Sequence, residues 1–339
     1  VLLWDLNRIE EPVATLDRIK LEPQRRSFPM AAFSPDGKTV AIASNKGTTA
    51  AVAATTVTVA LHSAWDGRNT GQIDTQAEML TSLALGGSNV MATASGNTIQ
   101  VWDREAGTFL YSLSSTRGMP RLMRFNSQGT LLANAVGNHA EIWDTVSHKL
   151  LAVLPAVDWI SDLSFTPDGR SLAVGGWGRT SSTSVWRVSD SAARVQLGGF
   201  SFDSRPTSMA FGSDGCLAIG TSNGEVSFYR DGGKRCTSPA STTAAAAESI
   251  SRNPDRDRDR SRRTSVMYDA AGRLIAHDSR GLRIWQGGSA LSQPPSLVPI
   301  PINAPGPWAP QILLARSTDG QTMVLVRSSE ISLWQATHP

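Results

Sequence analysis

The sequence predicts an all-β fold of small, four-stranded antiparallel sheets. Three observations carry that expectation. Tryptophan recurs at the end of strand-like runs, as Trp-Asp in VLLWD, SAWD, IQVWD and AEIWD, and in related form in TSVW, VSFY, LRIW and ISLW. A second series, FSPDG, ALGG, FNSQG, FTPDG, FGSDG, YDAAG and ARSTDG, interleaves with the first, each copy lying between two alternating apolar runs. After its first ending the Trp series returns about every 42 residues, with two longer intervals toward the C-terminus.

Each repeat reads as strand a, a tight turn, strand b, a loop, strand c ending in Trp, a turn, and strand d. Period-two apolar alternation makes these strands, not helices. The glycine of each hairpin supplies the positive φ that the turn requires. Strand d shows as VATL, TFLYSL, KLLAVL and ARVQL. A four-stranded sheet of this size cannot bury both faces alone. Repetition lets neighbours cover each other, which makes each unit one blade of a β-propeller. Seven glycine-marked hairpins predict seven blades within a single domain, 1–339. The C-terminus supplies strands a, b and c near 311–334, and the N-terminus a c-like run at 1–5 and a d-like run at 12–17. Pairing of the N- and C-terminal strands is expected to close the ring, with 12–17 completing the last blade. The alternative is an eight-bladed ring, or a partial extra blade built on 1–5. The chain begins at Val1 inside a strand-like run, which reads as a piece of something longer.

On these residues the chain resembles the WD-repeat β-propeller family, across nearly its whole length. The repeats are degenerate. No Gly-His pair precedes strand a, Trp-Asp survives in four endings, and Trp186 is followed by Arg187. The hydrogen-bonded tetrad that the resemblance implies is expected to be mostly missing. Trp65, Asp66 and Arg68 fit the Trp-Asp-x-Arg box of WD-repeat substrate receptors of cullin ubiquitin ligases, in which the Arg meets the adaptor.

Composition excludes other classes. A chain of 339 residues that is 40% hydrophobic and 18% charged is neither wholly disordered nor fibrous. Cys216 and Cys236 form no CxxC, which argues against a cysteine zinc site or a disulfide scaffold. Read as free thiols, and with no N-x-S/T acceptor, they point to an intracellular home, cytoplasmic or nuclear. The longest uncharged run, between Arg283 and Arg316, holds seven prolines and makes a poor membrane helix. The net charge of +3 comes from 32 Lys and Arg against 29 Asp and Glu. Six arginines and three aspartates between 252 and 263 account for all of it, so the rest of the chain is neutral.

Strand order sorts the loops. The a–b and c–d turns lie at one end of a blade, and the b–c loops and d-to-a links at the other. The insertion 45–56, the segment 236–263 and the proline-rich stretch 301–310 all fall at the second end. Segment 236–263, rich in Arg, Asp and Ser, is expected to be a disordered insertion between blades. Trp159, Trp177 and Trp308, outside the strand-c series, map to the same rim with Arg117, Arg121, Arg179 and Arg205. Trp and Arg are favoured hot-spot residues, so this rim is the predicted partner surface. Ser265, in RRTS, resembles a site for a basophilic kinase.

Catalytic motifs are lacking. GTSNG at 220–224 matches G-x-S-x-G, but it lies between two strands, not at a strand–turn–helix elbow. The five histidines show no metal-ligand spacing, and no cofactor is predicted. The expected function is a monomeric, non-catalytic scaffold or docking propeller for a protein or peptide, alone or within a multiprotein complex. Alternatives are a docking or sensor domain of a larger kinase or NTPase, a cullin-ligase substrate receptor, and nucleic-acid binding through the Arg-rich insertion.

Overall fold

The computed structural model describes residues 30–43, 56–64, 67–156, 159–188, 195–230, 236, 264–268, 272–278 and 281–285. It also describes the backbone of strands at 2–5, 8–15, 296–298, 313–316, 322–326 and 331–335. All regular structure among these residues is strand.

Contacts divide the chain into two compact units. One comprises Val1–Pro155 with Pro310–Pro339, and the other Ala156–Ala309. The first opens with a hairpin of β1 (Leu2–Asp5) and β2 (Arg8–Thr15). Three four-stranded meanders follow. They are β3 (Met30–Phe33), β4 (Thr39–Ala43), β5 (Thr58–Ser63) and β6 (Asn69–Asp74); β7 (Ser82–Leu85), β8 (Val90–Ser95), β9 (Thr98–Asp103) and β10 (Thr108–Ser114); and β11 (Leu122–Phe125), β12 (Leu131–Val136), β13 (His139–Asp144) and β14 (Lys149–Pro155). The second unit holds β15 (Trp159–Phe165), β16 (Ser171–Trp177), β17 (Ser181–Arg187) and β18 (Val195–Phe202). A three-stranded sheet comes next, β19 (Pro206–Phe211), β20 (Leu217–Thr221) and β21 (Val226–Tyr229). After it come β22 (Ser265–Tyr268), β23 (Leu274–Asp278), β24 (Gly281–Trp285) and β25 (Ser296–Val298). The chain returns to the first unit with β26 (Leu313–Arg316), β27 (Thr322–Val326) and β28 (Ile331–Gln335).

All ladders are antiparallel between sequence neighbours, as the a–b–c–d reading requires. Within each unit, neighbouring sheets meet through their first strands. In the first unit β3 neighbours β7 and β7 neighbours β11; in the second β15 neighbours β19 and β19 neighbours β22. Sheet packs on sheet through small side chains in mid-strand. Ala84, Ala92 and Ala94 share a core with Met123, Leu132 and Trp143 of the next sheet. Both strands of the N-terminal hairpin contact β28, β1 more extensively than β2, and no ladder joins either to it among the described residues.

The recurrent residues have local causes. Gly37, Gly129, Gly169, Gly215 and Gly272 take φ between 69° and 78° in the a–b turns. ALGG departs from the rule: the left-handed residues there are Ser88 (φ 55°) and Asn89 (φ 60°). Gly87 is needed for closeness instead, because a Cβ on it would lie 3.1 Å from the carbonyls of Ser127 and Gln128. The Asp of Trp-Asp shapes the c–d turn. Asp103 Oδ1 accepts the Glu105 and Ala106 amides at 2.9 and 2.8 Å, and Asp144 does the same for Val146 and Ser147 at 2.8 Å.

The tetrad is partly rebuilt with other residues. Trp143 Nε1 donates to Asn134 Oδ1 (2.8 Å), Asn134 Nδ2 to Glu141 Oε2 (3.1 Å), and the Thr116 amide and hydroxyl to Glu141 Oε1 (2.9 and 2.6 Å). Glu141 is fully buried. Burial pushes its pKa up, but the bonds from Thr116 and Asn134 outweigh that and hold it below the ordinary value. One sheet earlier, Trp102 Nε1 donates to Thr93 Oγ1 at 2.9 Å.

Four outer strands carry a bulge at one shared position. The residue after the partner of the position-c aromatic or histidine is skipped in each ladder: Thr70, Leu110, Leu151 and Leu197. A bulge twists an edge strand and spoils its pairing with another chain.

Cys216 and Cys236, expected as free thiols, are joined in a disulfide with Sγ–Sγ 2.02 Å. Both are buried among Phe228, Val266, Tyr268 and Trp285. Twenty residues of sequence separate them, and neither their spacing nor their number signals a pair brought together by the meander. Of the segment 236–263, expected to be disordered, the first residue, Cys236, is buried in this disulfide, and 237–263 lie outside the described residues.

Candidate partner-binding rim

Three of the residues picked out by the sequence come together. Trp159 opens β15 and Trp177 closes β16, and the two are direct cross-strand partners. Their rings stack, with centroids 6.2 Å apart and planes 16° from parallel. Arg205, in the link from β18 to β19, places its guanidinium carbon 4.1 Å from the centre of the Trp177 ring. The Arg205 backbone is fixed to the next b–c turn: its carbonyl accepts the Ser222 amide at 2.8 Å, and its amide donates to Ser222 Oγ at 3.3 Å. Trp177 is half-buried by these neighbours, while Trp159 keeps 44% of its surface exposed. Arg179, two residues beyond Trp177, is exposed. The result is an aromatic platform with one cation stacked on it and a second beside it. Such a platform offers apolar contact, cation–π contact and charge-assisted hydrogen bonds.

The other expected residues are placed separately. Arg117 and Arg121 are exposed on the link between β10 and β11, in the first unit. Arg68 is exposed in the turn between β5 and β6, a c–d turn. Trp65, Asp66 and Trp308 lie outside the described residues. Ser265 is half-buried as the first residue of β22, paired with His277. A kinase would have to peel β22 from its sheet to extend Ser265 into a cleft. The 220–224 stretch is the end of β20 and a turn, and Ser222 Oγ accepts the Arg205 amide. Among the described residues no cluster of three or more His, Cys, Asp or Glu could hold a metal ion. Among the described residues there is no helix long and apolar enough to cross a membrane.

Two rim residues escaped the sequence reading. Counting back three residues from the first laddered residue of strand a beyond its bulge gives Met79, Met119, Trp159 and Arg205 in successive sheets. Met79 and Met119 are 54% and 41% exposed. The signal was the register itself, which becomes countable once strand a is aligned on its aromatic or Leu before the turn.

The family model described as WD domain, G-beta repeat, matches residues 148–186, consistent with a WD-repeat family. The match begins just before β14 and ends at Trp186 of β17. The sequence unit is therefore offset from the sheet by one strand. WD repeats generally mediate protein–protein interaction and are typically non-catalytic. No curated protein matches the chain.

Proposed function

We propose that this WD-repeat chain is a non-catalytic docking propeller that presents its b–c and d-to-a rim to a protein or peptide partner. The Trp159–Trp177–Arg205 cluster carries the reading. Trp159 stays exposed although the core beneath its strand is complete, with Leu163 and Asp162 buried under it. Asp162 is spent internally, accepting the Met209 amide at 2.7 Å, so the rim's polar chemistry is left to its arginines.

The seven meanders are read as seven blades, with the ring closed by its terminal strands. The position of β1 beside β28 supports closure at that point. The intracellular assignment loses one of its supports, because the thiols it used are paired and a buried disulfide suits an oxidising compartment.

The test is capture of partners from the native source on wild-type chain and on a Trp177→Ala, Arg205→Glu double variant of equal thermal stability. Partners identified by mass spectrometry are expected to fall at least tenfold on the variant. Equal recovery on both would rule the cluster out as the contact.

A further inference from the structure

We propose that Met79 and Met119, flanked by Arg117 and Arg121, form a second docking site, for a peptide segment with apolar anchors followed by an acidic cluster. The proposal rests on the reading that this end of the sheets meets partners, but it uses different residues, in the other unit.

The two methionines occupy the same register position in adjacent sheets. The links that carry them are fastened together: Thr81 Oγ1 donates to Pro120 O at 2.6 Å and to Ala94 O at 3.3 Å. In each link the residue after the methionine turns inward. Leu80 is 2% exposed and Pro120 is buried. The core therefore takes its apolar contribution from Leu80 and Pro120, and the methionines remain outside it.

Backbone conformation favours this outward display. Gly118, directly before Met119, has φ 125°, and Gln76, three residues before Met79, has φ 56°. Methionine is flexible and polarizable, and suits a surface that moulds itself to a ligand's apolar side chains.

Charge decides the kind of partner and its direction. Arg117 and Arg121 are exposed on either side of Met119. Glu141, which accepts the Thr116 amide and hydroxyl of this link, is buried and also bonded to Asn134. The other link carries an exposed Glu78 beside Met79. An acidic cluster is attracted to the Arg117–Arg121 end and repelled from Glu78. The apolar anchors therefore lie over Met79 and Met119, with the carboxylates running on past Met119.

The experiment is selection of a random 12-residue peptide display library on the full chain, with counter-selection on a Met79→Ser, Met119→Ser variant of unchanged melting temperature. Enriched peptides are expected to pair Leu, Ile, Phe or Met with Asp or Glu. Synthesised as fluorescent probes, they should bind at least tenfold more weakly to Arg117→Glu, Arg121→Glu and severalfold more tightly to Glu78→Lys. They should bind unchanged to Trp177→Ala, Arg205→Glu. No enrichment, enrichment of basic peptides, or probes sensitive only to the Trp177 and Arg205 changes would overturn this site; the last outcome would leave the first docking surface standing. Preferential binding of a 20-nucleotide single strand that ignores the methionine changes would also overturn it.

Discussion

Buried tryptophans of the c strands show how much one neighbouring residue decides. Trp102 and Trp143 each donate to the side chain two positions beyond their ladder partner on strand b, Thr93 and Asn134. Trp285 is paired with Leu274, and the same count reaches Ala276. Its indole nitrogen is buried with no acceptor among the described residues, an omission that costs about 1–3 kcal/mol. Ala276→Ser should restore the bond and raise stability by about 1 kcal/mol in a denaturant titration. No gain would mean that the added hydroxyl does not reach Nε1. Glu141→Gln should cost about 2 kcal/mol, since its amide nitrogen would face the Asn134 donor. The pH dependence has a definite sign. The Glu141 pKa is depressed on folding, so its contribution is complete above the ordinary carboxylate pKa and is lost as pH falls through the folded value. The gap in melting temperature between wild type and Glu141→Gln should therefore close in acid. The repeat of Trp was legible from sequence. Its acceptor was not, because Asn134 and Glu141 do not match the expected tetrad types.

Strands are the most legible elements, since period-two alternation and glycine turns are local signals. TFLYSL and KLLAVL fall within β10 and β14. The contacts between elements were not legible, because they depend on distances that the chain does not encode locally. Gly220 is a case in point: a Cβ there would lie 2.6 Å from the backbone carbonyl of Thr264, in the adjacent sheet. Gly220→Ala must push β20 and the start of β22 apart, at about 1–3 kcal/mol. A variant as stable as wild type would show that the sheets can shift freely. The disulfide escaped for the same reason. Replacing Cys216 and Cys236 together by Ser should lower stability by about 2–4 kcal/mol. Unfolded, unreduced protein should show no titratable thiol, and finding two would contradict the pairing.

Across the whole molecule the repeat made the architecture visible before any single residue could be placed, because a period near 42 constrains every copy at once. The proposed partner surface was only half visible. Trp159, Trp177 and Arg205 stood out as residue types, but Met79 and Met119 became notable only with register and exposure. Charge also belongs to this scale. The segment 252–263 holds the entire net charge, so a chain lacking it should lose retention on a heparin column at moderate salt. Retention that persists would locate a polyanion surface on the sheets. The bulges at Thr70, Leu110, Leu151 and Leu197 bear on how such a chain could arise. A gene segment encoding one repeat carries, in a single outer-strand residue, the irregularity that keeps its exposed edge from recruiting strangers. Each duplication therefore delivers a sheet already protected against fibre growth, and lengthening by copying stays safe at every intermediate step.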